Sequence, residues 1–422
     1  MEYVETIVLK EGINLHLVPD YKFKTFAISA YFHCPLMRET AALNALIPPL
    51  LRRGSRSYPS ARQLSRRLSD LYGATMGGSV MKWGREQILS FYAEGIASEF
   101  LPDGTDVFLP LSELFFELLR EPNAQGAFPE ETLALEVKNL KHAILGRTDD
   151  KRVYAMERTM EETFFGKPEG MSPLGRLEDL QRINGKTAFL RYQAVLHKAP
   201  IDIYVCGNFK KDPVLARMKE LGVFFTARTP WERPKPKPFS ERTVPQNCAE
   251  RMENLNQARL AMAFHTGVCM DDPEYFPLLL LSGVLGGGVH SKLFRSAREE
   301  QGLCYGISSG VMSDLGVLTV EAGMQKENRT PIIETVNQAI SDIRNGRITE
   351  EEWNASVLSL QEAYHAVRDH LEGMEEYCFR EGYASRPISP DDAVRRLSSV
   401  TLEEVMQVAK KLRLDTVFCL ED

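Results

Sequence analysis

Eight histidines, at positions 16, 33, 142, 197, 265, 290, 365 and 370, are where metal or proton-transfer chemistry would have to begin. A catalytic zinc held on a helix needs two imidazoles one turn apart with a glutamate as general base, in the spacing HExxH or HxxEH. No pair here has that spacing. His365 and His370 are five residues apart, so they diverge by more than a turn and read as exposed polar residues on a long helix. His33 and His265 close two similar apolar stretches and read as hydrogen-bonded structural residues. No G-x-S-x-G elbow, phosphate-binding P-loop or G-x-G-x-x-G stands out. The triple glycine 286–288 has no lysine after it and reads as a helix-terminating turn.

The elements that would position a site occur twice. FAISAYFHC (26–34) and ARLAMAFHT (258–266) both read as strands ending in Phe-His. FPEETLALEVKNLKHAIL (128–145) and ITEEEWNASVLSLQEAYH (348–365) both open with helix-start signals: Pro129 in a first turn, and Thr349 with Glu352 as a capping box. Each half closes on an apolar strand, 201–209 and 415–420. Further helices begin at Ser60 with Gln63, at Asp272-Pro273 and at Thr330-Pro331. A period of roughly 200 residues marks a duplicated domain, not a solenoid. The expectation is α+β: two tandem homologous domains, 1–225 and 248–422, each a mainly antiparallel sheet covered by helices on one face and forming half of a clamp. Between them 226–247, with five prolines among charges, predicts an extended linker.

The bulk properties exclude several function classes. In 422 residues, 43% are hydrophobic and 26% charged, as in a globular protein. The net charge of −7 gives no basic face for nucleic acid. No run approaches the ~18 apolar residues of a membrane span, and MEYVETIVLKEG lacks the features of a signal peptide. Seven cysteines, odd in number and without a CxxC pair, predict free thiols in a reducing cytoplasm.

One stretch is more specific: SGVLGGGVHSKLFRSAREEQGLCYGISSG, 282–310. Ser291 can cap a helix running to Gln301, Gly302 can end it, Arg298 falls in its last turn and Tyr305 on the strand that follows. This block resembles the C-terminal half of the insulinase (pitrilysin) family of zinc peptidases, which includes mitochondrial processing peptidase and many bacterial peptidases. The resemblance extends over nearly the whole chain. RRGSRSYPSARQLSRRLSDLYGATMGGSV (52–80) is similar to the family segment that follows the zinc helix and ends in a substrate-binding edge strand.

The resemblance places the family's first zinc histidine on Ala45, its glutamate base on Pro48 and its second histidine on Pro49. Its downstream glutamate ligand falls near Glu136. Alanine and proline can neither ligate zinc nor accept a proton, and adjacent prolines predict a kinked helix. A lone Glu136 reads as a solvated helix residue. No metal is therefore expected in this chain.

The same resemblance implies roles for other residues. Arg298 would hold a substrate carbonyl or carboxylate, and Tyr305 would donate to the developing oxyanion. Gly287 and Gly288, with Thr75, Met76, Gly77, Gly78 and Ser79 of the edge strand, would line the peptide by strand addition. Some bacterial members of the family divide the zinc motif and the Arg–Tyr pair between two chains. The chain is therefore expected to be the zinc-less subunit of a heterodimeric peptidase, acting on an unfolded peptide with zinc on an HxxEH-bearing partner. A structural scaffold with relic Arg298 and Tyr305, or a peptide-binding homodimer, are the other readings the sequence leaves open.

Overall fold

A computed structural model describes residues 4–229 and 242–422. The chain forms two compact units, each built on one sheet.

The first sheet contains β1 (Glu5–Lys10), β2 (Ile13–Pro19), β3 (Thr25–Pro35), β4 (Thr75–Trp83), β5 (Glu86–Ile96) and β6 (Ile201–Gly207), in the order β1-β2-β6-β3-β5-β4. All neighbours are antiparallel except β2 and β6. The second contains β7 (Gln246–Arg251), β8 (Ala258–His265), β9 (Cys304–Met312), β10 (Val317–Met324) and β11 (Arg413–Glu421), in the order β7-β11-β8-β10-β9. Its one parallel pair is β7 with β11. The path β2-β6-β3-β5-β4 thus recurs as β7-β11-β8-β10-β9, parallel pair included. The architecture is the expected α+β duplication, with β3 and β8 carrying the two Phe-His stretches.

Alternation along each strand sends every second side chain to one face. In the first unit Phe26, Ile28, Ala30 and Phe32 of β3 join Ile201, Ile203 and Val205 of β6 under the helices Arg38–Leu51 and Phe108–Arg120. In the second, Leu260, Met262 and Phe264 of β8 meet Leu278, Leu281 and Leu285 of the helix Tyr275–Gly286. Each fully buried leucine or phenylalanine contributes ~1.5–3 kcal/mol.

The units do not follow the halves of the sequence. Gly146–Gly170 belongs to the second unit and Asp369–Arg380 to the first. Each supplies a helix to the sheet face that sequence reasoning leaves uncovered. Helix Lys151–Thr163 buries Ala155 against Phe418 and Leu420, and Met160 against Ala263 and Val317. Helix Leu371–Glu381 buries Met374, Glu375, Cys378 and Phe379, with the Phe379 ring stacked 4.2 Å from that of Tyr31. These second-face residues alternate with the main core, so a single-face pattern hides them.

Three further expectations change. Most of the 226–247 linker lies outside the described residues, and its last two residues, Gln246 and Asn247, already pair with β11. His365 and His370 do not share a helix, because helix Glu350–Ala366 ends between them. Pro48 and Pro49 do not break their helix, which runs on to Leu51, with the Arg52 amide bonding Pro48 O at 3.3 Å. The prolines sit in the last turn, so the helix ends soon after the two amides it lacks.

Candidate functional site

The N-terminal residues singled out by the sequence meet where helix Arg38–Leu51 ends on the edge strand β4. A Cβ on Gly78 would lie 3.0 Å from Pro48 Cβ, so the missing side chain lets the proline turn approach. Gly77 points to the opposite face, where a Cβ would meet the Tyr92 ring at 2.2 Å. Thr75 and Ser79 share that opposite face, and Ser79 Oγ lies 3.0 Å from Ser90 Oγ. Among the described residues β4 pairs with β5 alone, which leaves its outer edge without a partner strand there.

Ala45 is buried to 7% exposure, and Pro48 is packed. Glu136, expected in solvent, is also buried on helix Glu130–Leu145. It accepts hydrogen bonds from the Arg53 guanidinium and from Asn139 Nδ2 at 3.0 Å. These residues do not fit zinc: Ala45, Pro48 and Pro49 offer no ligand atom, and the one carboxylate is neutralised by an arginine. Among the described residues no group of three or more His, Cys, Asp or Glu could hold a metal ion.

On the far face of the same sheet lies a buried polar chain that sequence reasoning reads only as isolated residues. His33 Nδ1 is 3.3 Å from Glu86 Oε2, and its Nε2 is 3.1 Å from Asp202 Oδ2. Asp202 Oδ1 continues to His16 Nε2 at 3.2 Å, and His16 stacks on Tyr204 at 4.3 Å. Burial opposes the charged imidazole of His33, but the hydrogen bonds to Asp202 and Glu86 outweigh it and raise the pKa to about 9. Tyr31 Oη donates to Glu375 Oε1 at 2.5 Å, and burial holds the Glu375 carboxyl above its ordinary pKa.

Of the residues singled out in the C-terminal half, Arg298, Gly287 and Gly288 converge on one cavity, and Tyr305 stands outside its lining. Helix Tyr275–Gly286 ends so close to β9 that a Cβ on Gly286 would stand 2.6 Å from Ser309 N. The glycines then make the expected turn. The next helix is a π-helix over Phe294–Glu300 rather than an α-helix, with Gln301 N bonding Ser296 O at 3.2 Å. Such turns are rare and concentrate at functional sites. The Arg298 guanidinium lies 4.6 Å from the centre of the Phe294 ring. Gly302, at φ 62°, ends the turn.

Tyr305 owes its position to a β-bulge. On β10, Gly323 pairs with Gly306 and Met324 with Cys304, so Tyr305 is the extra residue. Its side chain is turned out, 61% of the residue is exposed, and its Oη accepts from Gln325 Nε2 at 2.9 Å. Arg298, Gly287 and Gly288 line one cavity of about 410 Å³, together with Arg259, Arg152 and Glu321. Sequence reasoning missed the last three. The available signal was Arg259 itself, the one charge in the apolar strand ARLAMAFH.

The fold and the block around Arg298 resemble those of M16-like peptidases of the insulinase kind, and residues 191–360 match the family described as the Peptidase M16 inactive domain. The chain is similar along its whole length to a probable inactive metalloprotease, YmfF, of Bacillus subtilis, at 26% identity over 100% of this chain and 99% of that one. An uncharacterized zinc protease of the same bacterium, YmxG, is 23% identical over 97% of this chain and 95% of its own length. A conserved protein of Enterococcus faecalis has the same fold at a TM-score of 0.92 and 28% identity, covering 99% of this chain and 98% of that one. A protease of Helicobacter pylori matches at 0.80 and 14%, over 99% of each chain. At that identity the likeness is one of fold alone.

Proposed function

We propose that this chain is the zinc-less subunit of a two-chain bacterial peptidase. A homologous partner bearing HxxEH supplies the zinc. This chain supplies Arg298 to hold a carbonyl of an unfolded peptide and Tyr305 to donate to the oxyanion. The observation that carries the reading is the presentation of Tyr305, an aromatic turned out at a bulge beside a π-helix and a cavity, where a structural tyrosine would be packed. The apolar positions 45, 48 and 49, with Ala45 and Pro48 buried, fit the other half of the division. The peptide adds as a strand to β4, with Thr75, Met76, Gly77, Gly78 and Ser79 along it. Seven free cysteines suit a cytoplasmic location, and no helix among the described residues is long and apolar enough to cross a membrane.

Purified alone, the chain is expected to cleave no peptide. Mixed with an HxxEH-bearing M16 partner from the same genome, it is expected to give zinc-dependent cleavage. That activity drops at least about 100-fold, a loss typical of an oxyanion donor, with Tyr305→Phe or Arg298→Ala while the complex still forms. Cleavage by the chain alone, or full activity in the double variant, overturns the proposal; the second result makes the chain a scaffold.

A further inference from the structure

Arg259 lies on β8, in register with Gly323 of β10, and Gly323 is in register with Gly306 of the edge strand β9. A row running inward from the edge of the sheet is therefore glycine, glycine, arginine. A Cβ at Gly306 would meet nothing within 4 Å. A Cβ at Gly323 would strike Arg259 Nη1 at 2.6 Å and Gln257 Oε1 at 2.8 Å. The two glycines thus clear a path across the sheet, and the Arg259 side chain reaches back along it into the cavity.

Among the described residues Arg259 has neither a hydrogen bond nor an ion pair, and its buried Nε has no acceptor. The acids near it hold other partners, Asp150 while also drawn to the Arg259 charge. Glu321 is held by Arg152 and by Ser308 Oγ. Asp150 caps helix Lys151–Thr163, accepting from the amides of Arg152 and Val153. Arg298, in the same cavity wall, also lacks a carboxylate partner among the described residues. A guanidinium whose Nε is buried without an acceptor is unfavourable unless a ligand supplies one. Gln257 Oε1, buried beside Gly323, lacks a donor in the same way. The missing ligand therefore needs an anionic acceptor next to an N–H donor.

We propose that this cavity is a carboxylate subsite for a peptide, with Arg259 as its specificity-determining residue. The planar guanidinium fork matches a carboxylate, and an amide N–H beside it satisfies Gln257. The carboxylate is either the peptide's C-terminus or an acidic side chain. Among the described residues β9 pairs with β10 alone, so an extended peptide can reach the row from its open side. The substrate class rests on the function proposed above, whereas the binding needs neither partner nor zinc.

The test is binding of three fluorescent hexapeptides to the purified chain, read by anisotropy. One has a free C-terminus, one is the same peptide amidated, and one is amidated with an internal glutamate. At least one carboxylate peptide is expected to bind at least ~10-fold tighter than the neutral amide, and which one does so identifies the source of the carboxylate. Arg259→Gln should abolish the preference. Gly306→Val, which enters open space and so should not strain the sheet, should block the path and weaken the carboxylate peptide by a similar factor. Equal binding of all three peptides, or a preference that survives both variants, overturns the inference. A preference that persists where no partner-dependent cleavage is found overturns only the proposed function.

Discussion

The buried carboxylate of Glu136 is held by the guanidinium of Arg53, which reaches it from just beyond the end of helix Arg38–Leu51. The guanidinium supplies the positive charge that keeps this carboxylate inside, and the local packing keeps its charge balance.

Removing that cation leaves a buried carboxylate with Asn139 as its remaining hydrogen-bond donor. Arg53→Ala should therefore destabilise the protein by about 1–3 kcal/mol, less than a fully buried pair because Arg53 is partly in water. Arg53→Ala with Glu136→Gln should recover much of the loss. Urea unfolding of the two variants checks this. A double variant no more stable than the single one would show that the charge of Glu136 is not the source of the cost.

His33 gives a pH signature. Its folded pKa of about 9 stands above the ordinary value of 6.5, so its stabilisation is complete below about 6.5 and is lost as pH rises through about 9. Melting temperature should fall between pH 7 and 10 in the natural protein. His33→Gln should be less stable by roughly 3–5 kcal/mol at pH 6, the cost of removing one partner from a buried pair, and nearly flat over the same range. A His33→Gln melting curve parallel to that of the natural protein would contradict the assignment.

Much of this was legible in the sequence, and what was not has physical causes. The duplication and the sheet-and-helix class follow from repeated patterns of periodicity, caps and turns, whereas the edge strand at Thr75 was implied by the family resemblance. The borrowed helices were hidden because Ala155, Met160, Cys378 and Phe379 sit on helices whose remaining faces are polar, and nothing local says which sheet they serve. Glu136 read as solvated because its partner, Arg53, is 83 residues away. The Arg298–Tyr305 block was visible as a motif, but its bulge depends on pairing with β10 and no local residue pattern marks its π-turn. Arg259 was passed over because its meaning lies in two glycines on other strands.

Helix Leu371–Glu381 makes a second, opposite pH prediction through Glu375. Burial raises its pKa, so the protonated form is stabilising. That contribution is full below the unfolded value of about 4.3 and is lost as pH rises through the folded one. Glu375→Gln keeps an acceptor for Tyr31 without the charge, so it should match the natural protein near pH 4 and exceed it in melting temperature at pH 8. Tyr31→Phe should cost about 1–2 kcal/mol at pH 8, where it strips a hydrogen bond from a buried carboxylate. A Gln variant less stable at pH 8 would mean that the charge is favourable where it lies.

The glycines at 286 and 288 should separate structure from site. A Cβ on Gly286 would meet the backbone of β9 at 2.6 Å, and backbone cannot swing aside as a side chain can. Gly286→Ala must push the helix end off the strand that carries Tyr305, at a cost of roughly 1–3 kcal/mol. A Cβ on Gly288 would meet only the His290 ring, at 3.2 Å, and Gly288 lines the cavity. Gly288→Ala should therefore leave the melting temperature within about a degree while weakening peptide binding. Melting curves and peptide anisotropy on the two variants give the comparison. If Gly288→Ala lost stability and kept binding, the turn would be structural and the peptide would lie elsewhere on the sheet.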